Sequence, residues 1–282
     1  MGRTEGHVSL DPGVTYRLLG GEDELRAAKV LLGQARGPAG ATDLGAEDVV
    51  LGAYEGDRMV GATASRLMPD DASPARVEQA RLHVSGLAVH PDASGKGIAA
   101  GLMRLQRLLA VQQAVQLVTW HQDPLQGRLA HLAVRKLGAV SRGMLGAARK
   151  GGDRLLEIEW WVSSPRVQSR LAGGRPDLDL AHALDAGAPK LNTGRLDSDG
   201  LLHPTGGHVP PDGATALVEV PHALDDLRAR DPGLLAEWRA QLDSILLEAF
   251  SRGYWMTDYL WLRGERVPRA YYLLIDGERT LG

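Results

Sequence analysis

The feature that most constrains this chain is a strand that runs through a glycine-rich turn into an amphipathic helix. Residues 81–89 read as a strand, the turn Gly95-Lys96-Gly97 follows, and residues 98–111 repeat apolar side chains at helical spacing. The apolar stripe consists of Ile98, Leu102, Leu105 and Leu109. Residues 115–120 are continuously apolar, which is typical of a strand that is covered on both faces. A strand, a helix and a second buried strand predict a crossover connection within a sheet.

Other strands and helices follow from the same periodicities. Strands are expected at residues 15–19, 49–54, 59–67, 81–89, 115–120, 139–147 and 155–162. Helices are expected at residues 22–32, 98–111 and 126–137, and loops at residues 33–45 and 69–74. The order β-α-β-β-β-α-β-α-β-β predicts an α/β fold, of the α+β type, that is built on a mixed sheet.

The second part of the chain is irregular at first and then regular again. Residues 163–172 favour a helix, and residues 173–213 are rich in glycine, proline, aspartate and histidine, which predicts a long, loop-rich connection. A β-α-β-β order follows, with strands at residues 216–220, 254–262 and 270–275 and a helix at residues 232–252. Two interpretations of this extension stay open: a degenerate half-repeat, or a tail that adds strands or caps a dimer.

These patterns divide the chain into four segments. The segments are an N-terminal tail at residues 1–14, a first domain at residues 15–165, a loop-rich connection at residues 166–215 and a C-terminal β-α-β-β region at residues 216–282. A hydrophobic fraction of 44% in 282 residues is enough to build a real core.

Composition excludes several kinds of function. The chain has no cysteine, so it cannot form disulfides, thiolate zinc sites or cysteine nucleophiles. Its net charge of −3 gives no reason to expect a nucleic-acid partner. No apolar run approaches the roughly 18 residues of a membrane span, and the first ten residues have no signal-peptide core. We therefore expect a cytoplasmic protein without a membrane partner.

The turn before the second helix has the properties of an anion site. Free main-chain N–H groups at a helix start attract negative charge, and glycines let a phosphate approach the main chain. Lys96 adds positive charge beside them. The spacing is neither that of a Walker loop nor that of a dinucleotide fingerprint. Taken alone, a Gly-Lys-Gly turn also occurs in ordinary strand-to-helix connections.

The wider segment resembles the coenzyme A motif of the GCN5-related N-acyltransferase (GNAT) superfamily. The motif is Arg/Gln-x-x-Gly-x-Gly/Ala after a Leu-Ala-Val-His-Pro strand end, and here it falls on Ser94-Gly95-Lys96-Gly97-Ile98-Ala99. The glycine and the final small residue match, whereas serine stands at the first position. The resemblance covers residues 15–162. It implies an acyl-CoA co-substrate, with its pyrophosphate on this loop and its pantetheine arm along Leu87, Ala88 and Val89.

A narrower resemblance points to a little-studied GNAT subfamily that has a C-terminal extension. It rests on residues 117–126, residues 135–140 and a tail that includes Asp231-Pro232, Trp238-Arg239 and Thr257-Asp258. Some members of that subfamily occur together with enzymes that racemise or hydrolyse N-acylamino acids. The resemblance therefore hints at an amino acid as substrate.

The usual acid-base residues of the family are missing from this chain. The tyrosine position falls on Val134, and the asparagine position falls on Gly127. Three other side chains at strand ends are the catalytic candidates: His83, His121 and Asp123. A histidine near a carboxylate can be tuned as a base. The alternatives are a histidine that hydrogen-bonds a loop, an aspartate that caps a helix, and deprotonation of the amine through water.

Several further residues have both a functional and a structural interpretation. His131 reads first as a packed or solvated side chain. Glu157 and Glu159 share one face of a strand and are either amine ligands or solvated charges. His203 and His208 match no strong ligand spacing, so we predict no metal site. The late aromatic residues line a pocket or an interface, or simply pack in the core; they are Trp160, Trp161, Trp238, Trp255, Trp261, Tyr254, Tyr259, Tyr271 and Tyr272.

Three hypotheses of function follow. The first is an N-acyltransferase that moves an acetyl or succinyl-like group from coenzyme A to the amine of a small molecule, such as an amino acid, by direct attack in a ternary complex. The second is a catalytically degenerate GNAT domain that acts as an acyl-CoA sensor or assembly module. The third is a structural, partner-binding protein whose coenzyme A cleft is closed. We also expect a homodimer, because strands at the end of the domain are expected to be exposed.

Overall fold

The computed structural model describes residues 8–11, 13–36, 44–69, 80–146, 153–174, 180–222, 224–262 and 268–277. The chain forms two compact units, which we call the N-terminal and C-terminal units. The N-terminal unit is Met1–Trp120 with Trp161–Ser164, and the C-terminal unit is His121–Trp160 with Pro165–Gly282. The four segments inferred from sequence remain a prediction about domain boundaries.

In its described residues, the N-terminal unit is a sheet with one α-helix on each face. Its strands are β1 (Val8–Asp11), β2 (Val14–Leu18), β3 (Val49–Glu55), β4 (Arg58–Met68), β5 (Arg81–Val89) and β6 (Leu117–Gln122, whose last two residues belong to the C-terminal unit), and its helices are α1 (Glu22–Arg36) and α2 (Ile98–Gln112). The strands lie in the order β1-β2-β3-β4-β5-β6. All neighbours pair antiparallel except β5 and β6, which are parallel. The predicted mixed sheet and the predicted order of elements are thereby confirmed.

The two helices bury opposite faces of this sheet. The α1 cluster contains Leu19, Ala28, Leu31, Leu32, Val50, Tyr54, Ala62, Ala64 and Ala88. The α2 cluster contains Val14, Tyr16, Leu51, Ala53, Val60, Ala93, Ile98, Leu102 and Leu105. Gly101 allows helix α2 to lie close to the sheet. A Cβ atom at this position would overlap the ring of Tyr16. Alternation along each strand therefore sends successive side chains to different helices.

Helix α1 begins at an acidic first turn, as its sequence predicts. The Glu24 carboxylate accepts a hydrogen bond from Gly21 N at 3.3 Å and pairs with Arg17. The hydrogen bond with Arg17 lowers the pKa of Glu24. The helix continues to Arg36, so the loop predicted from residue 33 is wrong for four residues. An interior glycine costs a helix only about 1 kcal/mol, which the buried residues before Gly33 offset.

The C-terminal unit contains a second antiparallel strand order, β8-β7-β12-β13-β11. Its strands are β7 (Val140–Leu145), β8 (Leu155–Trp161), β9 (Gly194–Leu196), β10 (Leu202–Pro204), β11 (Thr215–Val220), β12 (Tyr254–Leu262) and β13 (Arg269–Asp276). Its helices are α3 (Gly127–Ala130), α4 (Pro165–Leu171), α5 (Leu180–Asp185), α6 (Leu224–Arg230) and α7 (Pro232–Ser251). The predicted strands and long helix of the C-terminal extension are confirmed, and α6 is an addition to them.

The helix predicted over residues 126–137 is an α-helix only in its first turn. His131–Lys136 forms a π-helix, and Leu137 N donates to Leu132 O at 2.9 Å in the wider i→i+5 pattern. The spacing of apolar residues does not distinguish an α-helix from a short π-helix, because both place their apolar residues on one face. Short π-helical turns are rare and frequently lie at functional sites.

The connection predicted as a long loop is more ordered than expected. It contains α5 and the two-stranded sheet formed by β9 and β10. The fully buried Glu219 bonds to Arg269 at 2.5 Å and accepts from Gly194 N at 2.7 Å. Asn192 bonds to the main chain of Glu219 in both directions. This polar network holds the connection on the C-terminal sheet.

No helix in the described ranges combines the length and the apolar character that a membrane span requires.

Candidate functional site

Strand β5 has a free edge over its second half. On one side it pairs with β4 along its whole length, from Arg81↔Met68 to Val89↔Gly61. On the other side the parallel ladder with β6 runs only from Arg81↔Leu117 to His83↔Thr119. No described strand pairs with residues 84–89 on that side. Main-chain N–H and C=O groups need partners, so this edge can bind an extended chain that carries amides.

A bulge marks the place where the ladder with β6 ends. In the pairing of β4 with β5, Ala64 lies opposite Gly86 and Ser65 opposite Val84, so Ser85 is the extra residue. The Ser85 hydroxyl bonds to Ala64 O at 3.3 Å. Bulges turn a strand and frequently lie beside active sites. This one redirects β5 between His83 and Leu87.

The turn after β5 leads directly into α2. Pro91–Ala93 forms one 3₁₀ turn, and Ser94 N donates to Pro91 O at 3.0 Å. Gly95 has a φ of 81° and Gly97 a φ of 85°, a left-handed conformation that favours glycine. Gly97 is the N-cap of α2 and provides no side-chain acceptor for the helix start. The first N–H groups of α2 are therefore available to an anion.

Charged side chains surround this turn. Lys96 Nζ donates to Glu55 Oε1 at 2.8 Å. Arg58 Nη2 donates to Asp92 Oδ2 at 3.0 Å, and this hydrogen bond lowers the pKa of Asp92. The Arg58 guanidinium also contacts the ring of His90. Since these groups are at the surface, their charges are accessible to a ligand.

The turn and the free strand edge fit a ligand that has phosphates next to an amide-bearing arm. A Cβ atom at Gly95 would meet open space, so the main chain is accessible there. The residues assigned from the motif are Leu87, Ala88, Val89, Ser94, Gly95, Lys96, Gly97, Ile98 and Ala99, and all of them belong to the N-terminal unit. Their role in binding coenzyme A stays a prediction.

His83 lies at the end of the β5–β6 ladder. It is half-buried, and its Nδ1 lies 3.2 Å from the hydroxyl oxygen of Thr119. Register places it opposite Arg66, on the sheet face that α1 covers. Arg66 is itself held by two hydrogen bonds to Asp48, at 2.9 and 3.0 Å. His83 thus shares the N-terminal unit with the coenzyme A motif.

His121 and Asp123 belong to the C-terminal unit. His121 is exposed near the end of β6. The carboxylate of Asp123 accepts Leu125 N at 2.9 Å and binds Arg239 through both oxygens, at 3.2 and 2.9 Å. Asp123 thus holds a turn and an ion pair, and its predicted role as a helix cap is wrong, because Gln126 is the N-cap of α3. The catalytic roles of His121 and Asp123 remain predictions.

Gly127 and Val134, where the family has its asparagine and tyrosine, are both buried. Val134 is fully buried within the π-helix. A Cβ atom at Gly127 would overlap the phenol oxygen of Tyr259. Packing in the C-terminal unit therefore explains why neither position carries a polar side chain.

The other side chains singled out from sequence have structural partners. Glu159 binds Arg142 through both oxygens at 2.6 and 2.7 Å. His131 stacks on Trp261 with ring centroids 4.3 Å apart. His203 pairs with Asp197 at 2.8 Å, and His208 pairs with Glu248 at 2.9 Å.

The sequence analysis did not predict the partners of His83 and Asp123, which are Thr119 and Arg239. Thr119 is a polar residue within the apolar run of β6, and this exception to the pattern could have identified it. Arg239 lies on α7, and nothing near it in the sequence points to Asp123.

Comparison with known proteins agrees with the family resemblance. Residues 30–139 match the family described as Acetyltransferase (GNAT) family. A search of curated proteins found no similar protein.

Two solved structures are similar to part of this chain. The N-acyl amino acid synthase FeeM from uncultured soil microbes is 15% identical, with a TM-score of 0.42, over 57% of this chain and 96% of that one. The ribosomal-protein-S18-alanine N-acetyltransferase from Escherichia coli is 14% identical, with a TM-score of 0.43, over 54% of this chain and 95% of that one.

The family match lies on the segment that contains the free edge of β5, the Gly95-Lys96-Gly97 turn and α2. Residues 30–139 of the chain are therefore similar to the GNAT acetyltransferase family.

Proposed function

We propose that this protein is an acyl-CoA-dependent N-acyltransferase that acts on the amine of a small molecule. One observation carries the proposal: the free edge of β5 leads through two left-handed glycines into the uncapped start of α2. An edge of unpaired amides suits a pantetheine arm, and an uncapped helix start suits a pyrophosphate.

The side chains and main chain have separate tasks in this proposal. Bound acyl-CoA supplies an acyl group that its thioester already activates. The N–H groups at the start of α2 hold its phosphates, with Lys96 adding charge. A main-chain N–H near Leu87–Val89 polarises the thioester carbonyl, as an oxyanion-type donor.

His83 is the proton acceptor that we favour, because it lies on the same strand as the proposed oxyanion donor. Leu87 lies four positions after His83 in the sequence, which is at most about 13 Å of extended strand. That span leaves room for an acyl group and an amine between the two. His121 and Asp123 are the alternative pair.

An acetyl or succinyl-like acyl group and an amino acid acceptor complete the proposal, with direct attack in a ternary complex. The resemblance of the C-terminal extension to a subfamily found beside enzymes of N-acylamino acids supports this choice of acceptor. A cytoplasmic location and a homodimer belong to the same proposal, and the dimer is tested by light scattering after gel filtration.

Thermal unfolding with coenzyme A, acetyl-CoA, succinyl-CoA and longer acyl-CoAs tests the co-substrate. A ligand at 100 times its Kd stabilises a fold by about 2.7 kcal/mol. ATP serves as a control ligand, because it carries phosphates without a pantetheine arm. We expect a larger shift with the coenzyme A compounds. An equal shift with ATP, or no shift with any of them, would contradict the proposal.

A matched pair of variants ties that shift to the turn. Gly97→Asp adds a negative charge at the proposed phosphate site, whereas Gly253→Asp places the same residue at a φ of 84° with open space around it. We expect only Gly97→Asp to abolish the coenzyme A response. Equal responses of the two variants would show that the assigned site is wrong.

The missing family residues favour one second candidate, an acyl-CoA-binding module without turnover. Its support is that Gly127 and Val134 have no side-chain group that can donate or accept a proton. An amine panel that includes both enantiomers of amino acids separates the candidates. Release of free thiol with any amine excludes the module, and binding without release favours it.

A further inference from the structure

The last rung of the β5–β6 ladder joins a candidate base to a buried hydroxyl. His83 and Thr119 are direct partners in the parallel register, and β5 continues alone beyond them. His83 Nδ1 and Thr119 Oγ1 lie 3.2 Å apart, which is within hydrogen-bond distance. Thr119 is 2% exposed, so the sheet holds its side chain in place.

A hydroxyl at this position controls the tautomer of the imidazole ring. In neutral histidine one ring nitrogen carries hydrogen and the other carries a lone pair, and the hydrogen bond made by one determines the role of the other. If Nδ1–H donates to Thr119, Nε2 holds the lone pair. That bond also persists after Nε2 takes up a proton, because Nδ1 is a donor in both states.

We propose that Thr119 is a positioning residue that accepts the Nδ1–H of His83 and thereby leaves Nε2 as the atom that takes the proton from the amine. This inference rests on the proposed function, in which His83 is the proton acceptor. The proton moves from the attacking nitrogen to Nε2 as the new amide bond forms, and the bond from carbon to sulfur breaks with its electron pair staying on sulfur, so that coenzyme A leaves as its thiolate.

Two arginines, Arg66 and Arg81, lie near His83 on its face of the sheet. Arg66 faces His83 from β4 and is held by Asp48 through two hydrogen bonds. Arg81 lies two residues earlier on β5, on the same face of the strand. Neither guanidinium can accept a proton. Thr119 faces His83 from β6 as a neutral partner that can accept the Nδ1 hydrogen.

The tautomer of the unmodified protein is the first test, because it needs no variant. Nitrogen-15 NMR of histidine-labelled protein distinguishes Nδ1–H from Nε2–H, and the His83 signal is the one that disappears in His83→Gln. We expect the Nδ1–H tautomer of neutral His83. The Nε2–H tautomer would overturn the proposal, whatever the variants do.

Two variants of Thr119 then separate positioning from simple packing. Thr119→Val keeps the shape and removes the hydroxyl, and Thr119→Ser keeps the hydroxyl. With acetyl-CoA or whichever acyl-CoA gives the largest thermal shift, we expect Thr119→Val to lose about tenfold in kcat, which is 1.36 kcal/mol of barrier. Its KM for the acyl-CoA stays within about twofold, its His83 signal becomes a tautomer mixture, and Thr119→Ser recovers kcat.

The outcomes distinguish this inference from the proposed function. Full activity of His83→Gln would remove His83 from the reaction and with it the basis of the inference. Loss of activity in His83→Gln with an unchanged kcat and tautomer in Thr119→Val would overturn only the role of Thr119. If Thr119→Val does not fold, the wild-type tautomer and the Thr119→Ser variant still decide the question.

Discussion

The phenol oxygen of Tyr259 occupies the place where a Cβ atom at position 127 would lie. Gly127 begins α3, and Tyr259 comes from the middle of β12 with 1% of its surface exposed. The family resemblance expects an asparagine at position 127. Such a side chain has no room while Tyr259 keeps its hydroxyl, so the C-terminal region and the loss of the asparagine are parts of the same packing arrangement.

A double-mutant cycle tests this relationship. We expect Gly127→Ala to lower the free energy of unfolding by about 1–3 kcal/mol, because overpacking forces atoms apart. In Tyr259→Phe, the ring atom nearest to that point is Cζ at 3.1 Å, so the same alanine costs less there. Urea unfolding of the four proteins gives the coupling energy. Additive losses would mean that the two residues do not compete for space.

Substitutions of Lys96 and Glu55, the surface ion pair at the turn, should change the affinity for coenzyme A in opposite directions. Lys96 and Glu55 are 51% and 33% exposed, so their ion pair adds little to stability. We expect Lys96→Met to weaken coenzyme A binding by roughly threefold to tenfold, or about 0.7–1.4 kcal/mol. Glu55→Gln should strengthen binding, because it releases Lys96 and removes a negative charge.

Calorimetry at two salt concentrations checks that prediction. Salt shortens the Debye length from about 10 Å at 0.1 M to about 3 Å at 1 M, so both effects should shrink at high salt. Lys136→Met, at an exposed lysine of the C-terminal unit, is the control and should leave the affinity unchanged. Equal affinities of the Lys96 and Glu55 variants would contradict the assigned phosphate site.

Asp123 and Arg239 should behave as one stabilising unit. Both side chains are at least 85% buried, with exposed fractions of 14% and 15%. Asp123→Asn and Arg239→Gln should each cost about 1–3 kcal/mol in the free energy of unfolding, and the double variant less than their sum. Chemical unfolding measures all three.

Activity well below the unfolding temperature then separates the two roles of Asp123. Retained kcat in folded Asp123→Asn assigns Asp123 to the turn and its ion pair. A loss of kcat that Arg239→Gln does not share supports the catalytic prediction instead.

The buried phenol of Tyr259 predicts a loss of stability in alkali. Burial raises the pKa of Tyr259 to about 12, above the ordinary value of 10.0 for tyrosine. Because the pKa of Tyr259 is higher in the folded state than in the unfolded state, its proton stabilises the folded protein. This contribution to the free energy of unfolding is fully present below pH 10 and is lost as the pH rises toward 12. Two pKa units correspond to about 3 kcal/mol.

Comparison with Tyr259→Phe isolates this contribution. The free energy of unfolding is measured in urea at pH 8, 10 and 11.5 for both proteins. The wild-type protein should lose more stability over that range, and the variant should remove part of the pH dependence. Parallel curves would show that the phenol of Tyr259 does not titrate with unfolding. Burial also raises the pKa of Tyr272, and the charge of Tyr259 contributes to that rise, so the same comparison in a Tyr272→Phe background separates the two phenols.

Local patterns in the sequence were sufficient for most elements of the fold. The strands Arg81–Val89 and Tyr254–Leu262 have the predicted bounds, because alternating or continuous apolar residues report directly which strand faces are buried. The start of α2 was equally clear, since glycine turns and helical periodicity are both local signals. The errors lie where packing overrides a local signal, as at Gly33, where the helix continues, and at His131, where it widens.

What the sequence by itself determined is a mixed sheet, a glycine turn at the start of a helix and a GNAT resemblance at that turn. Only the tertiary structure decided that the β5–β6 ladder ends at His83 and Thr119, and that Asp123 binds an arginine 116 residues away. The physical reason is that periodicity records the burial of each element, which is a property of neighbouring residues. Contacts between distant residues depend on strand register and on the packing of side chains from separate elements, and no local pattern records these.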